Sequence, residues 1–101
     1  MYIAMNRFRI LLGKEEEFEE LWKTRDSHLN EVEGFKNFNL IRGSMKSDHT
    51  LYVSHSQWES EIHFLNWTKS TAFKKAHKNA GKNNHIFQGH PEFEGFVVIE
   101  L

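Results

Sequence analysis

The sequence predicts an α+β fold, with strands and helices in the order strand, helix, strand, strand, helix, strand. Three observations support this prediction. Polarity alternates with a period of two in residues 2–12 and 50–58, as in half-buried strands. Apolar residues recur at spacings of three and four in residues 14–30 and on one side of residues 71–79, as in helices that pack on a sheet. Turn residues separate these segments. The order is that of the ferredoxin-like split unit, in which helices cover one face of an antiparallel sheet.

The first strand ends at Gly13, and its alternation divides the strand into an apolar and a polar face. The apolar face carries Tyr2, Ala4, Asn6, Phe8, Ile10 and Leu12. Three acidic residues, 15–17, then open a helix, where the helix dipole favours negative charge. The helix is expected to continue to about residue 30. Its stripe is formed by Phe18, Leu21, Trp22, Arg25 and Leu29.

The second half of the chain is expected to add a hairpin, helices and a last strand. After a turn at residues 33–35, strands are predicted at about 36–44 and 50–58, joined by a polar connection, and helical pieces at 60–66 and 71–79. Gly81 is the predicted helix cap. Residues 82–91 show no periodicity and predict a loop, and residues 93–101 predict the last strand.

Length and composition limit the classes of protein that fit. A chain of 101 residues predicts one domain over residues 1–101, and its thin core favours a homodimer. A net charge of -1 argues against a nucleic-acid partner. The absence of cysteine excludes a thiolate nucleophile and cysteine-ligated metal sites. No apolar run has the length of a membrane span or signal peptide, which predicts a cytoplasmic protein without a membrane partner.

Three residues lie where ordinary packing does not explain them. Asn6 interrupts the apolar face of the first strand, and it is either a structural hydrogen-bonding group or a ligand contact. His77 shares a helix face with Phe73 and Ala80, where a satisfied core histidine is the ordinary interpretation and an iron ligand the alternative. Trp67, between the two helical pieces, is by itself typical of core packing.

The other histidines match no zinc-binding spacing, since the chain has no His-Glu-x-x-His pair. Two of them, His85 and His90, lie in the predicted loop. If this loop folds over a pocket, either could compete with His77 as a ligand.

Several motifs resemble a known family. The opening Met1-Tyr2-Ile3-Ala4-Met5-Asn6-Arg7, the stretch from Trp58-Glu59-Ser60-Glu61 to Phe64-x-x-Trp67, and Phe73-Lys74-Lys75-Ala76-His77-Lys78-Asn79 resemble the Isd-type haem-degrading monooxygenases of the antibiotic-biosynthesis-monooxygenase (ABM) superfamily. The resemblance spans nearly the whole chain. Residues 82–91 and the ending at 89–95 look more like the general ABM pattern, which leaves the product of the reaction open.

The resemblance implies a dimer whose two sheets form a barrel, with one haem per protomer as both cofactor and substrate. His77 would be the proximal iron ligand, Trp67 would press the porphyrin out of plane, and Asn6 would donate to the distal ligand. Phe73 would line the haem site. Electrons would come from a reductase or another external reductant, because the chain has neither a dinucleotide-binding motif nor cysteines.

Two other functions stay open at this point. The first is a cofactor-free ABM oxygenase for a quinol-like aromatic, in which His77 acts as a base or hydrogen-bond partner. The second is a non-catalytic haem carrier or sensor, which would bind haem through His77 and leave the ring intact.

Overall fold

The computed structural model describes residues 1–25, 29–77 and 84–101. Its elements follow in the predicted order of strands and helices. They are β1 (Tyr2–Leu11), α1 (Glu15–Lys23), a 3-10 helix (Leu29–Glu31), β2 (Phe35–Met45), β3 (His49–Trp58), α2 (Glu61–Thr68), α3 (Thr71–His77) and β4 (Glu92–Val97).

The four strands form one antiparallel sheet in the order β2-β3-β1-β4. Residues that pair across antiparallel strands point to the same face, so the register of Tyr2 with Trp58 and of Ile10 with Thr50 defines one apolar face. The α-helices pack against this covered face through β1 and β3. The predicted α+β ferredoxin-like fold is therefore confirmed.

The core on the covered face consists of two clusters. We call the first the Trp58 cluster; its buried members are Tyr2, Ala4, Leu29, Trp58 and Phe64. We call the second the Phe18 cluster; its buried members are Phe8, Ile10, Phe18, Tyr52 and Ile86. Along β1 the two clusters are separated by the position of Asn6, which belongs to neither cluster.

The first helix is shorter than predicted. It ends at Lys23 instead of about residue 30, because the Thr24 hydroxyl donates to the carbonyl oxygens of Glu20 (3.0 Å) and Leu21 (3.3 Å) and so satisfies the last turn. Residues 26–28 lie outside the described residues. The chain continues as a 3-10 helix at Leu29–Glu31, whose Leu29 side chain is buried in the Trp58 cluster.

The last strand is also shorter than predicted, because its partner runs out. β4 pairs only with β1, and this pairing ends where Val97 meets Tyr2. One further hydrogen bond joins the Val98 N–H to the Met1 carbonyl (2.9 Å). Residues 98–101 have no remaining strand to pair with and are not part of the sheet.

Part of the predicted loop at 82–91 packs into the core. Residues 84–86 form a 3-10 turn that places Ile86, fully buried, in the Phe18 cluster, and Phe87 forms an isolated bridge with Ile10. The predicted cap Gly81 and residues 78–83 as a whole lie outside the described residues. Within the described part of the chain, no helix is long and apolar enough to cross a membrane.

Candidate active site

Asn6 lies in the middle of the covered face, in a row of side chains that crosses the sheet. Its direct neighbours in register are Ser54 on β3 and Phe93 on β4. The Phe93 ring stacks on Phe64 of α2 at a centroid distance of 5.5 Å. Asn6 is half-buried and makes no side-chain hydrogen bond to another described residue. The structural hydrogen bond that is one interpretation of Asn6 is therefore not observed in the described part of the chain.

Trp67 lies on α2 and packs against the edge of the Trp58 cluster. Its indole is 5.4 Å from the Trp58 ring and meets Phe73 of α3 edge-on at 4.8 Å. Its Nε1 is fully buried and has no hydrogen-bond partner among the described residues. An indole N–H that is buried without an acceptor costs free energy, and this cost makes Trp67 a candidate ligand contact in addition to a packing residue.

His77 is the last residue of α3 and is half-buried. Its Nδ1 lies 2.8 Å from the Phe73 carbonyl oxygen, one helical turn earlier, and its ring stacks on the Phe73 ring at 4.1 Å. Because a carbonyl oxygen only accepts, Nδ1 carries the proton in this contact. The neutral ring then keeps the lone pair of Nε2 free, which is the arrangement that metal-ligating histidines adopt.

Burial keeps His77 neutral. Loss of solvent lowers the pKa of His77 from its ordinary value of 6.5; the hydrogen bond to Phe73 opposes this effect, and the positive charge of Arg25 lowers the pKa further. A neutral imidazole is the form that binds iron.

The influence of Arg25 on His77 identifies a residue to which the sequence assigned no role. Arg25 follows α1, and its guanidinium carbon lies 4.1 Å from the centre of the Trp22 ring. Burial lowers the pKa of Arg25, and no described carboxylate forms an ion pair with it. Its position as a charged residue within the apolar stripe of the first helix was the available signal.

The structure separates the competing histidine His85 from His77. His85 Nε2 lies 2.5 Å from a carboxylate oxygen of Glu17, near the start of α1 and about two turns before Arg25. His90 is exposed. Neither residue is part of the group formed by Phe73, Trp67 and His77.

Among the described residues, no three His, Cys, Asp or Glu side chains are grouped so that they could hold a bare metal ion. The described part of the site instead offers one neutral histidine nitrogen beside the aromatic rings of Phe73 and Trp67. A single protein nitrogen with apolar, planar surroundings suits a metal that arrives with its own ligands, as in a porphyrin, or a planar aromatic substrate.

Comparison with known proteins identifies the family. An antiparallel sheet with helices on one face defines a small α+β protein of the ferredoxin-like class. The sequence profile of the antibiotic biosynthesis monooxygenase family matches residues 1–79. This chain belongs to that family.

One protein is similar to this chain in sequence, and two solved structures are similar to it in fold. A heme oxygenase (staphylobilin-producing) from Staphylococcus saprophyticus is 30% identical over 104 residues, which cover 100% of this chain and 99% of the relative. The heme-degrader MhuD from Mycobacterium tuberculosis, solved with two haems in its active site, matches with a TM-score of 0.72 and 24% identity, covering 100% and 99% of the two chains. SnoaB, a cofactor-independent oxygenase from Streptomyces nogalater, matches with a TM-score of 0.71 and 20% identity, covering 99% and 94%.

Proposed function

We propose that this protein is a haem-degrading monooxygenase with residues 1–101 as one ABM domain. The observation that carries the proposal is the His77 ring, whose Nδ1 is bonded to the Phe73 carbonyl and whose Nε2 has no bonding partner among the described residues. Whole-length similarity to a haem oxygenase supports it, and the similarity in fold to the cofactor-independent SnoaB is the reason to test it against the alternative.

The residues present fit a haem. His77 would supply one nitrogen to the iron, and the Phe73 and Trp67 rings offer flat apolar surface. The half-buried cation Arg25, whose charge acts on His77, would complement an anionic propionate. Haem, when bound, supplies the iron that activates dioxygen and the meso carbon that is oxidised.

Each residue has a role that follows from its contacts. Phe73 orients His77 through its carbonyl oxygen and lines the site with its ring. Trp67 packs between Trp58 and Phe73, and these contacts hold its ring in place. The fixed ring would press on one side of the porphyrin. Asn6 has a carboxamide without a partner among the described residues, and its N–H would orient a ligand on the covered face of the sheet.

The electrons are proposed to come from an external reductant or reductase. The sequence contains no cysteine and no dinucleotide-binding motif, so the chain itself offers neither a thiol redox centre nor that kind of nicotinamide site. The cytoplasmic location stays a prediction.

We propose a homodimer that pairs the uncovered sheet faces. This face is rich in apolar side chains, and Ile41 and Phe96 are 45% and 36% exposed. Its apolar members include Ile3, Met5, Ile41, Leu51, Val53 and Phe96.

We predict that wild-type protein has the mass of a dimer in light scattering and that Ile41→Lys, a substitution at an exposed position, has the mass of a monomer. A dimeric Ile41→Lys variant would contradict this interface; Glu16→Lys on the exposed side of α1 is the control.

The proposed reaction is tested by titrating the purified protein with haemin and then adding ascorbate in the presence of catalase. A saturable Soret band at one haem per chain that bleaches with ascorbate is the expected result. A band that forms and persists would favour a haem carrier. If no specific band forms, the haem proposal fails and the cofactor-free oxygenase is the function to test with a quinol-like substrate.

A further inference from the structure

A polar pair lies between the two core clusters. Asn6 and Ser54 face each other in register on the central strands β1 and β3. The neighbouring rows on one side, Ala4 with Ser56, contact the Trp58 cluster, and those on the other side, Phe8 with Tyr52, belong to the Phe18 cluster. The apolar core is therefore interrupted at this row, on the face that the helices cover.

Ser54 is only 8% exposed and yet has no side-chain hydrogen bond among the described residues. In the described part of the chain, Trp67 Nε1 is the only fully buried side-chain polar atom without a partner. The Ser54 hydroxyl, which also lacks a partner, is therefore not fully buried. The hydroxyl therefore keeps some accessible surface although the residue as a whole is buried. A hydroxyl in such a place loses free energy unless a ligand or water bonds to it.

Ser56 provides an internal comparison on the same strand and the same face. Its hydroxyl accepts from Trp58 Nε1 (2.9 Å) and donates to the Ala4 carbonyl oxygen (3.4 Å). The hydroxyl of Ser56 is therefore fully used by the fold, whereas the hydroxyl of Ser54 is not. Two serines separated by one residue differ in whether their hydrogen-bonding capacity is left for a ligand.

We propose that Ser54 is a second ligand-binding residue, which acts with Asn6 to hold one small polar ligand on the covered face of the sheet. The carboxamide N–H and the hydroxyl both donate to this ligand, which is water in the free protein and a small exogenous ligand of the iron in the haem-loaded protein. This inference rests on the proposed haem function, because the iron ligand is present only in the haem-loaded protein.

The test uses the haem-loaded protein with cyanide bound to the ferric form and carbon monoxide bound to the ferrous form. Ser54→Ala should raise the cyanide Kd roughly three- to ten-fold, the range expected for one lost hydrogen bond, and shift the infrared C–O stretch to higher wavenumber. Ser54→Thr, which keeps the hydroxyl, should retain wild-type values. Asn6→Ala is the reference for loss of a donor.

The matched control is Ser56→Ala, which removes a hydroxyl one row away. It should lower Tm, because Trp58 Nε1 loses its acceptor, and leave both ligand measurements unchanged. The inference is overturned if Ser54→Ala behaves as wild type while Asn6→Ala does not, or if Ser56→Ala changes the ligand measurements equally. A wild-type protein without a Soret band would overturn the proposed function and this inference with it.

Discussion

The two halves of the covered face differ in how their polar groups are used. In the half under α1, the Tyr52 hydroxyl donates to Glu19 and the Thr50 hydroxyl donates to Glu15 at 2.8 Å. In the half under α2 and α3, Trp67 Nε1 has no described partner and His77 has only its Nδ1 bonded. Both halves contain several aromatic contacts, so apolar packing alone does not explain the difference.

The comparison separates stability from binding. Paired polar groups lower the free energy of the folded chain, and Glu19 together with burial raises the pKa of Tyr52 to about 12, so its hydroxyl keeps its proton. Polar groups that lack a hydrogen-bond partner near the core lower stability. A protein can retain such groups where a bound ligand supplies the missing hydrogen bond. We propose that the half under α2 and α3 is the binding half, and we call the half under α1 the stabilising half.

The largest expected effect is on binding in the second half. His77→Ala should weaken haem binding by about 100-fold, roughly 3 kcal/mol, and remove the spectrum of the histidine-ligated iron. Stability should change by about 1–2 kcal/mol, because the bond to the Phe73 carbonyl and the stacking of the half-buried ring on Phe73 are lost. Haemin titration and thermal unfolding measure the two effects.

The control for this prediction is His85→Ala, since His85 bonds to Glu17 in the stabilising half. It should leave haem affinity and spectrum unchanged. A wild-type spectrum in His77→Ala would show that His77 is not the iron ligand. Loss of the spectrum in His85→Ala would show that the ligand lies in the stabilising half.

A smaller effect compares two tryptophans that contact each other. Trp58→Phe removes a bonded indole from a fully buried position and should destabilise the protein by about 2–3 kcal/mol. Trp67→Phe removes an indole N–H that has no described partner, so its cost should be about 1 kcal/mol lower. Trp67→Phe should still bind haem but degrade it more slowly.

Urea unfolding and ascorbate-driven bleaching measure these outcomes. Equal destabilisation by the two substitutions would show that Trp67 Nε1 is satisfied in solution. Unchanged turnover in Trp67→Phe would argue against its proposed pressure on the porphyrin.

The smallest effect concerns acid stability in the first half. Hydrogen bonds from the backbone and from Thr50 hold the pKa of Glu15 below its ordinary value of 4.5. A lowered pKa stabilises the fold above pH 4.5, and this contribution is lost as the pH falls through the lowered pKa. Thr50→Val removes one of the hydrogen bonds that lower the pKa of Glu15, so the variant already lacks part of this stabilisation at pH 7. Its Tm should therefore fall less than that of wild type between pH 7 and about pH 3. Thermal unfolding across this range measures the effect, and a Tm profile parallel to wild type would refute it.

Much of the fold could be predicted from the sequence, because strand and helix periodicity are local properties. The alternation of residues 2–12 correctly placed Asn6 on the covered face, and the spacing of Phe73 and His77 placed their side chains one turn apart. The ends of elements were less predictable. Thr24 ends α1 through its own hydroxyl, and β4 ends where β1 no longer offers a partner.

The residues of the candidate site could also be predicted only in part. Asn6, Trp67, Phe73 and His77 were selected from the sequence, and their roles stay predictions. The neighbour of Asn6 could not be selected, because the pairing with Ser54 depends on the register of two strands far apart in the chain. The approach of Arg25 to His77 likewise depends on how α1 and α3 pack over the sheet.

The sequence by itself determined the order of the elements, the family and the residues that interrupt apolar faces. Only the tertiary structure decided which of those interruptions are satisfied. The hydroxyl of Ser56 finds Trp58 Nε1, and Glu19 finds Tyr52, whereas Asn6, Ser54 and Trp67 Nε1 find no partner among the described residues. The physical reason is that periodicity sets the direction of a side chain, while a hydrogen bond needs two groups brought within about 3 Å by packing between distant segments.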